Sequence, residues 1–140
     1  MTSEFAIAVH ALVYLNHKRT TLSSELLAEN VCTNPARIRK IMARLKRAGL
    51  IVTKEGIDGG YYFHKAPSDV TLRQINEAVD APLVAVSWRS GDKHMKCLIA
   101  SGMADIMDDI YADLNDLCRQ RLESITIADI DRQIFKAPEN

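Results

Sequence analysis

Apolar residues recur at three- and four-residue spacings through most of the chain, which predicts a mostly helical protein. Between residues 3 and 17, Phe5, Ala8, Val9, Leu12 and Leu15 share one helical face, with Ser3 placed to cap the first turn. The polar run NHKRTT ends that segment. LSSELLAEN then predicts a short second helix, capped by Ser23 or Ser24 and closed near Asn30, with Leu26, Leu27 and Val31 turned inward. A third helix is more sharply bounded. Asn34 precedes Pro35, so its backbone is kept out of the α region and suits an N-cap, while Pro35 suits the first helical position. Ile38, Ile41, Met42 and Leu45 fall on one face of it, and Gly49 closes it as a left-handed cap with Leu50 packing back.

The period changes after Gly49. Residues 50–53 and 61–64 are β-prone runs on either side of EGIDGG, whose glycines supply the turn of a hairpin, so a small wing is expected. TLRQINEAVD predicts a fourth helix capped by Thr71, and residues 81–100 read as an irregular connection containing Pro82, Trp88 and Gly91. From about residue 101 to 123 a long helix places Met103, Met107, Ile110, Leu114 and Leu117 at spacings of 4, 3, 4 and 3, flanked by Ile106 and Leu122. That alternation is a coiled-coil seam, which one helix cannot satisfy alone, so these five residues form the expected dimerisation surface. A short helix over residues 127–135 and a disordered tail, KAPEN, complete the chain. The expected fold is mostly α with a small β-wing: a winged helix-turn-helix DNA-binding domain over 1–80, a connecting or sensing loop over 81–100, and a dimerisation helix with a C-terminal helix over 101–140.

Charge sharpens this picture. The 140-residue chain carries 18 Lys and Arg against 18 Asp and Glu. The balance is not uniform: residues 1–65 hold ten basic and five acidic side chains, and residues 66–140 hold eight and thirteen. Much of the excess lies on the third helix, where Arg37, Arg39, Lys40, Arg44, Lys46 and Arg47 occur with no acidic residue from Thr33 until Glu55. A merely solvated helix normally mixes signs, because like charges at i, i+4 repel. Six cations without a local carboxylate imply an external polyanion. The negative charge gathers on the long helix, at Asp105, Asp108, Asp109, Asp113 and Asp116.

On a recognition helix the amino-terminal residues face the major groove, so Thr33, Asn34, Ala36, Arg37 and Lys40 are the expected base-edge contacts. Arg44, Lys46 and Arg47 lie further along and are expected on phosphates, which position without specifying. In the wing, Lys54 and the backbone of Gly56 to Gly60, with Gly59 among them, can reach an adjacent groove or phosphate. No apolar run approaches the ~18 residues needed to span a membrane, and MTSEFAIAVHALVYL lacks the basic start of a signal peptide. A cytoplasmic protein with no membrane partner is expected. No nucleophile–base pair, phosphate loop or dinucleotide fingerprint is present, which argues against an enzyme.

SEFAIAVHALVYL, PARIRKIMARLKRAGLI and GIDGGYYFHKAPSDVTLRQINEAVD resemble, in order and spacing, the Rrf2 family of bacterial winged-helix transcription regulators. The resemblance covers residues 3–80 and, with less sequence specificity, the long helix. It implies a homodimer on a pseudo-palindromic operator in double-stranded DNA, usually as a repressor. The family often carries a basic residue before the first wing glycine where this chain has Glu55, so the resemblance bears more on the helix than on the wing.

Many family members hold an iron–sulfur cluster through three closely spaced cysteines before the long helix. Here that region has only Cys97, so no cofactor and no metal site are expected: His94 and Cys97 are too few ligands. Thiol chemistry and plain packing remain for the cysteines. Cys32 precedes the third helix, whose dipole and Arg37 favour thiolate, and Cys118 beside the seam reads as a packed residue. Cluster-free relatives include thiol-based oxidant sensors, which implies a disulfide between Cys32 and Cys97 of opposite subunits under oxidant. The competing expectations are a winged-helix module for protein interaction, and a regulator that answers a small molecule or protein without thiol chemistry. Trp88, with Val84, Val86 and Met95 nearby, reads either as an anchor pinning the connection or as part of a ligand pocket.

Overall fold

The computed structural model describes residues 3–136. Of the tail expected to lack order, residues 137–140 lie outside this range. The chain runs through helices α1 (Glu4–Lys18), α2 (Ser24–Val31) and α3 (Pro35–Arg47), then strands β1 (Val52–Lys54) and β2 (Gly60–Tyr62). After a single tight turn at Pro67–Asp69 come α4 (Leu72–Val79), the long α5 (Leu98–Glu123) and α6 (Ile127–Ile134).

Local chemistry sets most of these boundaries. The Ser23 hydroxyl accepts from the Leu26 amide, the Asn34 side chain from Arg37, and Thr71 exchanges a reciprocal pair of hydrogen bonds with Gln74. Gly49, at φ 78°, ends α3: its amide donates to Lys46 O at 2.9 Å and that of Leu50 to Leu45 O at 3.0 Å, which makes a Schellman closure. Leu50 is buried as its partner contact. The second helix ends later than Asn30, on Cys32, which adopts the left-handed conformation at φ 64°.

The core is the amphipathic interior of α1, α2, α3, α4 and α6. Leu12, Leu15, Leu27, Ile38, Ile41, Met42, Leu45, Phe63, Ile75 and Ile127 are all but completely buried there. Arg19 locks the wing's return onto α1, donating to Phe63 O, Lys65 O and Asn16 Oδ1 at 3.0, 3.1 and 2.7 Å.

Several expectations are corrected. Leu26 points outward, half exposed, because α2 is only two turns long and its inner face is filled by Leu27 and Ala28. The wing strands sit at 52–54 and 60–62 rather than 50–53 and 61–64: Leu50 and Ile51 are drawn into the core, and the register pairs Val52 with Tyr62 and Lys54 with Gly60. Tyr61 also pairs on its other edge with Leu22, through bonds of 2.9 and 2.8 Å. Helix α5 begins three residues early, at Leu98. Helix α6 follows α5 after residues 124–126. It returns to the body, where Thr126 bridges Thr71 and the Ile127 amide donates to Val70 O at 3.1 Å.

Candidate nucleic-acid interface

Helix α3 rests its apolar face on the core and turns its other faces outward, so the sequence spacing alone places its cations. Arg37, Arg39, Lys40, Lys46 and Arg47 are exposed, as are Asn34 and Ala36; Thr33 is half-buried. Asn34 is not free to read a base with both its groups. Its Oδ1 accepts the Arg37 amide at 2.8 Å, which leaves the NH₂ group available. The Arg37 guanidinium donates to the Ser3 hydroxyl at the start of α1.

The helix is less unopposed than its own sequence implies, because carboxylates arrive from other elements. Arg44 is half-buried: it pairs with Glu4 at 3.0 Å and donates to Val79 O at 2.8 Å, joining α3 to α1 and α4. Arg39 lies 3.7 Å from Glu25 and 3.2 Å from the Ser24 hydroxyl. Among the described residues no ion pair engages Arg37, Lys40, Lys46 or Arg47. These four are the available cations of the helix.

In the wing, Lys54 is exposed at the end of β1. Gly59 and Gly60 serve closure of the hairpin. A Cβ on Gly59 would lie 2.4 Å from Lys54 O, and one on Gly60, at φ 152°, would lie 2.2 Å from Leu22 O. No side chain fits at either position without moving backbone.

The connection folds back along α5. Asn115 clamps Val84 by both amide bonds, at 2.8 and 2.7 Å, and Arg89 bridges Asp105 and Asp108 at 3.0 and 2.7 Å. Trp88 and Val86 line a hollow of about 270 Å³ with Met103, Met107 and Tyr111, so Met103 and Met107 are partly covered by the chain's own connection. Val84 and Met95 are not part of that lining. Ile110, Leu114 and Leu117 stay exposed along the rest of the seam, as does Ile106.

Cys32 and Cys97 are exposed and Cys118 is half-buried, all as free thiols. Cys97 precedes the first turn of α5. The amides of Ala100 and Ile99 point toward its sulfur and hold the thiol below its usual range, although neither completes a cap hydrogen bond.

A tri-helical body, a two-stranded wing and an outward basic helix define a winged helix-turn-helix protein that binds DNA. The Rrf2 model, described as an iron-dependent transcriptional regulator, matches residues 1–133, and the chain belongs to that family. It is 26% identical over 137 residues to YwnA of Bacillus subtilis strain 168, which is named as an HTH-type transcriptional regulator, covering 96% of this chain and 99% of that one. The crystal structure of a transcriptional regulator from Lactobacillus plantarum superposes with a TM-score of 0.85 at 25% identity, covering 97% of this chain and 92% of the other. T. potens IscR shares the fold, with a TM-score of 0.72 at 17% identity over 100% of this chain and 93% of that one. These relatives are regulators of transcription, not enzymes. The chain's own donors do not fit an iron–sulfur cluster. Cys97 is the single thiol of the connection, and among the described residues no three His, Cys, Asp or Glu side chains converge. Among the described residues, too, no helix is long and apolar enough to cross a membrane.

The hidden partners Glu4 and Glu25 left no mark on the sequence reading, because they stand 40 and 14 positions from the arginines they meet. An apolar groove lies between α1 and α6; its sequence signal is Val13, which extends the apolar face of α1 beyond Phe5 and Val9.

Proposed function

We propose that the chain is a cytoplasmic, homodimeric repressor that binds a pseudo-palindromic operator through two copies of α3. The observation that carries this is the set of exposed cations without carboxylate partners among the described residues: Arg37, Lys40, Lys46 and Arg47. Residues 1–80 are the DNA-binding unit, with α6 attached to it, 81–100 the connection, and α5 the dimerisation element. Arg37, Lys40 and the Asn34 NH₂ group face base edges alongside Thr33 and Ala36. Lys46, Arg47 and Lys54 hold phosphates, and Arg44 holds the helix rather than the DNA. Exposed Ile110, Leu114 and Leu117 support pairing of α5 with its copy, since a solvated apolar line of this kind is unfavourable in a lone chain.

Redox control is the finer part of the same reading. Hydrogen peroxide takes two electrons from the Cys97 thiolate: one peroxide oxygen bonds to the sulfur as the O–O bond breaks, leaving a sulfenic acid and a hydroxide that a solvent proton converts to water. The Cys32 thiol of the partner subunit then attacks that sulfur, forming the disulfide and releasing a second water. Exposure of both thiols and the lowered Cys97 thiol support it. The test is a gel shift on the protein's own upstream DNA with peroxide or reductant. A specific shift that oxidant removes, and that Cys97→Ser makes indifferent to oxidant, is expected. Absence of any sequence-specific shift overturns the repressor reading; an oxidant response that survives Cys97→Ser overturns the thiol part alone.

A further inference from the structure

Met103, Met107 and Tyr111 follow one another at four-residue spacing along α5, so their side chains form one stripe, with Asp108 beside it. The connection returns over this stripe, and Trp88 and Val86 close the other side of the hollow of about 270 Å³ between them. Met103, Met107 and Tyr111 are half-buried, whereas Trp88 is 73% exposed. A tryptophan that anchored the connection would be buried, so packing does not account for it. Its ring stands open to solvent on the wall of a hollow that holds a second aromatic ring.

The charge around this hollow has one sign. Arg89 is the one cation in the lining, and its guanidinium is met twice, by Asp105 at 3.0 Å and by Asp108 at 2.7 Å. Asp109 and Asp113 follow on α5 with no ion-pair partner among the described residues, and no basic residue of the helix precedes Arg119.

We infer that the hollow binds a small hydrophobic organic cation of the quaternary-ammonium class. Its charged head lies against the faces of Trp88 and Tyr111 and beside Asp108, and its apolar part lies on Met103 and Met107. Aromatic faces attract a cation through their quadrupole, and thioether side chains adapt to the shape of what they cover. A quaternary ammonium has no N–H group to satisfy, which suits a lining with few acceptors. An anion would meet the aspartates instead, and a metal ion lacks ligands, since among the described residues no three His, Cys, Asp or Glu side chains converge. The site also adjoins the support of α3. The connection leaves the carboxyl end of α4, where Val79 O accepts from Arg44 at 2.8 Å and Ala81 O accepts from the Asn76 amide at 2.6 Å. A ligand held between the connection and α5 therefore acts on the segment that continues into the seat of the recognition helix. This consequence rests on the DNA-binding reading above; the binding itself does not.

Trp88 is the single tryptophan of the chain, so its fluorescence reports the hollow directly. Titration of the full-length protein with benzyltrimethylammonium is expected to quench it saturably. The uncharged isostere neopentylbenzene should bind about tenfold more weakly, because it gains no cation–π attraction. Asp108→Asn, at an exposed position, should weaken the cation roughly threefold and leave the neutral compound unchanged. Trp88→Leu, followed by calorimetry, should lose about tenfold. Neutral binding as tight as that of the cation, or a cation indifferent to Asp108→Asn, overturns the cation site in favour of a plain apolar hollow. Absence of saturable quenching at millimolar concentrations overturns the site altogether. Anisotropy on the protein's own upstream DNA should show affinity changed at least about fivefold by saturating benzyltrimethylammonium. An unchanged affinity overturns the regulatory consequence and leaves the site standing; a protein that binds no DNA removes the DNA-binding reading and leaves the titration intact.

Discussion

Arg44 separates a residue that holds the recognition helix from one that holds DNA, and Arg44→Met makes the distinction measurable. The substitution keeps the apolar stem and removes both the Glu4 ion pair at 3.0 Å and the bond to Val79 O at 2.8 Å. A charged hydrogen bond contributes about 1.5–3 kcal/mol, and an exposed ion pair at most about 1 kcal/mol. Since the Arg44 side chain is 32% exposed, the ion pair counts at its screened value and the carbonyl bond carries most of the loss. A total near 2 kcal/mol is expected, equivalent to a Tm fall of about 6–8 °C in a domain of this size. Arg47→Ala touches no partner among the described residues, and its Tm should stay within about 2 °C of wild type. Salt titrations of DNA binding, read by fluorescence anisotropy, should rank the two variants in the opposite order. Losing one phosphate contact per subunit reduces the log–log slope of a dimer by about 1.8, which is expected for Arg47→Ala. Arg44→Met should bind more weakly with its slope unchanged. A normal Tm and a flattened slope for Arg44→Met would refute the assignment and return Arg44 to the phosphate contacts.

Three further outcomes are expected. Gly60→Ala forces a Cβ to 2.2 Å from Leu22 O at a φ that side chains rarely adopt, so urea melts should show a loss of at least ~2 kcal/mol. The Asp129 carboxylate accepts the Thr126 amide, and that bond first, then the Thr126 hydroxyl, lowers its pKa in the folded chain. A group lowered on folding stabilises above its unfolded value, near ~4, and that contribution disappears as pH falls through the folded value; Asp129→Ala should therefore lower Tm at pH 7 and change it little at pH 2. With Cys32 and Cys118 replaced by serine, the pH profile of Cys97 alkylation should have its midpoint below the ~8.5 of a free thiol, because the amides of Ala100 and Ile99 face the sulfur. A midpoint at or above that value would show that the start of α5 does not stabilise thiolate.

What could be read from the sequence was whatever is encoded within a turn or two of chain. Asn34 before Pro35, Gly49 after Ala48, and Thr71 with Gln74 are each local devices, and each bounds its helix where the spacing placed it. The start of α5 escaped because Cys97 is a weak cap and Leu98, Ile99 and Ala100 continue an apolar stretch that carries no stop signal. The outward turn of Leu26 depends on what the rest of the fold offers α2, and the Leu22 bridge to Tyr61 is a one-residue pairing with no period to detect. The same limit shaped the candidate site. The faces of α3 followed from a helical wheel, but the engagement of Arg44 with Glu4 and Val79, and of Arg39 with Glu25, arises from tertiary contacts.

The most direct measurement is footprinting on duplexes selected by the wild-type protein from a random pool. Two inverted half-sites should be protected, and Arg37→Ala should lose discrimination at one matching position in each, by about 1–3 kcal/mol. A protein that selects no sequence, or protects a single unpaired site that Arg37→Ala leaves unchanged, would contradict base reading by paired copies of α3.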